Sequence, residues 1–258
     1  MIGRPRTLWW RTAGLLAGLC AFLAIWQYGA PAARVPGYIL PVPIAIAVRL
    51  WQTLPVQIYH LSATAATTLI GLALALVIGV LLALTVVYVE PLRTVILPVL
   101  AGFNSIPKLA IAPLFIIWFG LGAESKVVLA FLLGLFPVFV NSVTGLGEIE
   151  HDMLDLARLA GGSEFRVFTK VRLVNAVPYL TDALKVAFPL AIAGSVVGEF
   201  IGGSRGVGYL ILSGQFNLDT PLVFATLVLI TAFTTAGIGA VVLFERAVLA
   251  WRPSRRGR

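Results

Sequence analysis

Charged residues make up only 12% of this 258-residue chain, which holds a single cysteine and two histidines. The lone Cys20 excludes disulfides within the chain and cysteine-based metal sites. His60 and His151 lie too far apart for an HExxH zinc site. None of the four lysines follows a glycine, so no GxxxxGK loop is present to cradle a nucleotide. No cofactor is expected on the chain itself, and the energy for any driven process has to come from a partner or a gradient. The scarcity of charge also excludes a soluble enzyme, whose charged fraction runs near ~25%.

What the chain has in excess is apolar bulk. Hydrophobic residues make up 59% of it, and the mean hydropathy is +0.98. Six membrane-crossing helices of ~20 residues each account for that surplus. The apolar runs fall at about 13–30, 61–89, 95–119, 125–146, 177–201 and 220–250. Lipid leaves backbone groups no partner but each other, so these runs are read as helices. The expected fold is all-α: a polytopic membrane protein with six transmembrane helices. It forms one transmembrane domain over 1–258, with 1–60 as an N-terminal span plus external segment and 61–250 as the core. The first run also fits a signal peptide, with Ala30-Pro31-Ala32 near a cleavage position. Its length and the interfacial pair Trp26 and Tyr28 favour a retained span.

The net charge of +8 first suggests nucleic acid, but its distribution does not. Arg4, Arg6 and Arg11 at one end, with Arg246, Arg252, Arg255, Arg256 and Arg258 at the other, supply the whole excess. Basic caps on an apolar chain are a topology signal for a lipid bilayer. They place both termini in the cytoplasm, together with Arg93 and the interval 147–176. Segments 31–60 and 202–219 then lie outside.

The interval 147–176 reads as two short amphipathic helices around a glycine elbow. Asp152 is a candidate N-cap and Asp155 sits in the first turn, against the positive end of the helix dipole. Leu154, Ala157 and Arg158 share a face. Gly161 or Gly162 ends this helix, and Ser163 caps the next, to which Phe165, Phe168 and Leu173 bring apolar bulk. A two-turn helix is unstable alone in water and needs something to dock against.

Asp155-Leu156-Ala157-Arg158-Leu159-Ala160-Gly161, continued by Ser163, Phe165 and Phe168, resembles the EAA loop of binding-protein-dependent ABC importer permeases. Asp155 stands where that family usually has Glu, and Val174 where it usually has Pro. The resemblance extends to Ile106-Pro107-Lys108 through Pro113, Ile117-Trp118-Phe119-Gly120, Phe136-Pro137 with Asn141, Gly198-Glu199-Phe200, Gly206-Val207-Gly208-Tyr209-Leu210, and Glu245-Arg246 with Trp251. These motifs are similar to those of nitrate/sulfonate/taurine-type permeases over roughly residues 60–252. The resemblance implies a coupling helix at 152–160 between spans four and five, with Asp155, Ala157, Arg158, Gly161, Ser163 and Phe165 at the contact. It further implies a cytoplasmic ABC ATPase dimer that binds the ATP, and a periplasmic or lipid-anchored substrate-binding protein. A second permease copy would complete a homodimer in the inner membrane. The expected cargo is a small solute: a sulfonate-, nitrate- or taurine-like anion, or a thiamine-precursor-like pyrimidine.

Polar groups inside a membrane are costly and are candidates for a pathway. Asn104, Ser105 and Lys108 sit in a proline-broken third span. Lys108 either lines an anion path or snorkels to the cytoplasmic interface. Asn141 either bonds between helices or touches substrate. Glu199, near the outer end of the fifth span, either belongs to an external gate or meets headgroup water. Gly198, Gly202 and Gly206 space small residues for close helix approach or for an outer turn, and Gly237 and Gly239 serve packing in the sixth span. Gly202-Gly203-Ser204-Arg205-Gly206 formally matches a nucleophile elbow, but it follows a membrane span instead of a strand. The rival function is a gradient-driven secondary transporter, a class that commonly shows two related halves. No half-to-half repeat stands out here.

Overall fold

The computed structural model describes residues 6–149, 155, 156, 159 and 163–249. Helices α1 (Arg6–Ala32), α2 (Pro43–Tyr88), α3 (Glu90–Ser105), α4 (Lys108–Phe119) and α5 (Ala123–Gly147) follow in order. After the 147–176 interval begins come α6 (Glu164–Gly202), α7 (Val207–Phe216) and α8 (Thr220–Val248). Among the described residues there is no strand. Five helices are long and apolar enough to cross a membrane, and the α3–α4 pair, bent by 96°, makes a sixth if it is one broken span. At 1.5 Å per residue neither α3 nor α4 alone reaches across ~30 Å of hydrocarbon.

Two of the expected boundaries differ. Residues 43–60, expected in an external segment, are the first part of α2, a continuous helix of 46 residues. The sequence hid this because Arg49, Gln52, Gln57 and His60 dilute the apolar run. Two of them find partners in the fold: Arg49 Nε donates to Asp219 Oδ2 at 2.9 Å, and Gln57 Nε2 donates to Thr53 Oγ1 at 2.7 Å. The third span begins earlier than expected, at Glu90, and breaks at Ile106-Pro107. Pro98 and Pro113 lie inside helices.

The chain separates into two compact units, one of 1–58 with 210–229, the other of 59–209 with 230–258. In the first, Thr220 Oγ1 donates to the Tyr38 carbonyl at 2.6 Å and Trp26 meets the edge of Phe224. In the second, α5 and α6 pack closely. A Cβ on Gly194 would lie 2.6 Å from the Leu129 carbonyl oxygen, so only glycine allows that approach. Phe139, Leu146, Val86, Ala83 and Ala176 form a fully buried cluster beside it. Gly237 gives way to the ring of Phe188, whereas the Cβ position of Gly239 meets nothing within 4 Å. The packing role expected of both therefore holds for Gly237 alone.

Candidate functional site

The interval that precedes and opens α6 is the most exposed apolar feature in the charged part of the chain. Asp155, Leu156 and Leu159 are helical and exposed, with 68% of Leu156 and 86% of Leu159 accessible. Ala157, Arg158 and Gly161, with the Asp152 cap, lie outside the described residues. Ser163 caps the next helix as expected, its Oγ accepting from the Arg166 amide at 3.4 Å. Phe165 is 74% exposed. The residue that anchors this turn is instead Val167, buried with Ile149 against Val171. A π-helical turn, Phe168–Arg172, then joins the cap to the long body of α6. It brings Arg172 Nη1 to the Leu146 carbonyl at 2.7 Å, while Asn175 Nδ2 donates to the Gly145 carbonyl at 2.9 Å. The carbonyls left open at the end of α5 are thus satisfied by side chains of α6. The base of the interval is fixed, and its apolar tip is bare.

At the α3–α4 break, Lys108 Nζ donates to Asn104 Oδ1 at 2.7 Å and to the Asn104 carbonyl at 3.1 Å. The cation therefore caps the C-terminal end of α3, where a broken helix leaves carbonyls open and the dipole is negative. The Lys108 ammonium is thus bound within the break itself. Ser105 Oγ donates to the Ala101 carbonyl of its own helix. Lys108, Asn104, Phe103 and Phe136 border a cavity of about 40 Å³, barely more than a water molecule needs. Asn141 Nδ2 donates to the Pro137 carbonyl one turn back at 2.8 Å, so it bonds within its own helix rather than between helices.

Glu199, foreseen either in an external gate or against headgroup water, is buried away from water. It is 1% exposed. Thr64 Oγ1 donates to its Oε1 at 2.7 Å and the Gly208 amide to its Oε2 at 2.8 Å. Thr64 Oγ1 accepts from the Val207 amide at 2.9 Å, and His60 Nδ1 accepts from the Gly206 amide at 3.1 Å. Three consecutive amides of the glycine segment are thereby tied to α2 and α6. Gly206 has φ 127°, and a Cβ there would collide with the Glu199 carboxyl group, which makes glycine obligatory twice over. One turn away, Thr67 and Thr68 both donate to Ser195 Oγ, at 3.1 and 3.0 Å. The His60 ring stacks on Tyr209 at 5.5 Å, and Arg205 lies over the Tyr59 ring at 3.9 Å. His60 Nδ1 is engaged by the backbone and the Ser204 segment joins two helices, so the nucleophile-elbow pattern has neither its strand nor a free base.

Sequence reasoning missed Thr64, Ser195 and His60 as parts of this network, because threonine and serine at three- and four-residue spacing also read as ordinary self-bonding helix residues. It also missed Lys185, whose Nζ meets Glu245 Oε2 at 2.6 Å and Asp182 Oδ1 at 2.8 Å. Its signal was an acid–base spacing of three residues inside an apolar run.

An all-helical body with several apolar spans, a broken span and an exposed apolar tip on its charged interval defines a polytopic membrane transport subunit. The chain belongs to the family of binding-protein-dependent transport system inner membrane components, whose pattern matches residues 75–250. It is the permease subunit of an ABC importer, a multi-pass protein of the inner membrane. It is 34% identical to the riboflavin transport system permease protein RibX of Chloroflexus aurantiacus, over 95% of this chain and 92% of that one. The formylaminopyrimidine transport permease protein ThiX of Halalkalibacterium halodurans is 33% identical over 89% of this chain and 92% of its own. A putative aliphatic sulfonates transport permease, SsuC of Bacillus subtilis, is 31% identical over 99% of this chain and 92% of its own. Among solved structures, the inward-facing MetNI methionine ABC transporter covers 81% of this chain and 98% of its own with a TM-score of 0.59. At 21% identity that is a likeness of fold.

Proposed function

We propose that this permease works as a homodimer driven by a cytoplasmic pair of ABC ATPases, which dock on the segment 152–165. The observation that carries the docking assignment is the exposed apolar set Leu156, Leu159 and Phe165 on a charged interval whose base is fixed. ATP is bound by the partner, since the chain has no phosphate loop of its own. Both termini and the 147–176 interval face the cytoplasm, an orientation supported by the arginine caps. The Glu199 cluster then lies toward the external side, where a substrate-binding protein delivers cargo. The proposed cargo is a small solute of the pyrimidine, flavin or sulfonate kind, in keeping with the names of the relatives above.

Uptake into proteoliposomes tests this reading. With the ATPase subunit, internal ATP and a loaded binding protein, solute accumulates and an imposed ion gradient alone drives nothing. Transport by this chain alone on an ion gradient would overturn the proposal in favour of a secondary transporter. Within the same assay, Gly161→Leu is expected to remove ATP-driven uptake while leaving membrane insertion intact, because a side chain at that elbow displaces the docking helix.

A further inference from the structure

Beside the fixed base of the interval is a cleft of about 600 Å³ between the ends of α2 and α5, the start of α3 and the π-helical turn. Its walls are apolar on one side, with Val86, Leu97 and Val140, and cationic on the other, with Arg93 and Arg172. Arg172 is held rigidly: Nη1 bonds the Leu146 carbonyl and the guanidinium lies 5.4 Å from the centre of the Tyr88 ring. Its Nε is buried with no hydrogen-bond partner. An unpaired buried N–H on a charged group is costly unless something supplies an acceptor. Arg93 is exposed and forms no ion pair or hydrogen bond among the described residues. Glu148 also lines the cleft, but pairs with neither arginine among those residues. Two guanidiniums and one carboxyl group leave the pocket with positive charge to spare.

Between α2 and α3 runs an apolar groove of about 210 Å³, bordered by Leu82, Val95, Ile96, Val99 and Leu100. Leu82 lies one turn before Val86 and Ile96 adjoins Leu97, so this groove, suited to hydrocarbon, neighbours the cationic cleft. Both α2 and α5 end at its mouth, at Tyr88 and Gly147, where an apolar span meets water. Basic pockets at the end of membrane helices are suited to anionic headgroups, each cation contributing ~1 kcal/mol. We propose that this cleft binds the phosphate of an anionic phospholipid, with Arg93 and Arg172 on the headgroup and the Leu82–Val99 trough under one acyl chain. The assignment to the cytoplasmic leaflet rests on the orientation proposed above; the site itself does not.

Native mass spectrometry of the full chain in detergent, titrated separately with phosphatidylglycerol, phosphatidylcholine and inorganic phosphate, tests the proposal. Phosphatidylglycerol should bind more tightly than phosphatidylcholine by about fivefold or more. Arg93→Gln should weaken phosphatidylglycerol by about fivefold, and Arg246→Gln, a charge lost away from the cleft, should change it by less than about twofold. Arg93 makes no internal bond, so the Arg93→Gln melting temperature should match the wild type. Equal binding of the two lipids, undiminished binding by Arg93→Gln, or inorganic phosphate competing as well as the lipid would overturn the proposal. Transport is not read in this experiment, so a negative result leaves the importer reading untouched.

Discussion

The Glu199 cluster and the tip of the 147–176 interval occupy opposite extremes of the same long helix and are built on opposite principles. Around Glu199, a buried carboxyl group, three threonines and a serine bond to one another, and the carboxyl group, Thr64 and His60 accept from three successive backbone amides. At the interval, Leu156, Leu159 and Phe165 stand exposed. A satisfied polar network fixes one geometry, because every rearrangement exposes an unpaired group in low dielectric. A bare apolar tip does the reverse: it is poised to gain from contact with another protein. The outer end of α6 is finished within the chain, and the tip before its other end is, on the function proposed above, completed by a partner.

Substitutions that break this contrast are expected to differ most at the buried end. Gly206→Ala places a methyl against the Glu199 carboxyl group on a backbone with φ 127°, and should cost about 3 kcal/mol or prevent accumulation of folded protein, seen as lost thermal stability in detergent. Lys185→Met removes the cation between Asp182 and Glu245, both within 2.8 Å of it. That should cost about 1–2 kcal/mol in the same melt, and restoring a cation with Lys185→Arg should recover part of it. Asn141→Ala removes a bond that stays within one helix turn, so a change below about 0.5 kcal/mol is expected. A large loss at Asn141 would show that its amide serves a contact the isolated chain lacks.

Much of the architecture was legible because lipid imposes a coarse rule: long apolar runs become helices, and charge marks where they stop. The rule fails where a helix leaves the hydrocarbon without ending. Residues 43–60 carry Arg49, Gln57 and His60, so hydropathy stops before the helix does. It also fails where proline is ambiguous. Pro107 falls in the break of the third span, while Pro98 and Pro113 are absorbed inside α3 and α4. For the site, composition singled out Glu199 and Lys108 as costly groups in apolar runs, yet not what they bond. Lys108 caps its own broken span through Asn104, four residues back, whereas Glu199 pins a glycine segment together with Thr64, 135 residues away, a partnership that folding sets and spacing does not show.

The central claim is that ATP-driven transport depends on an apolar contact made by the tip of the interval, not by the rest of the fold. Leu159→Asp tests it most directly, because the side chain is 86% exposed. ATP-driven uptake and ATPase association should both be lost, with a melting temperature in detergent equivalent to a change of less than about 0.5 kcal/mol. Uptake that persists at the wild-type rate in Leu159→Asp proteoliposomes would contradict the account.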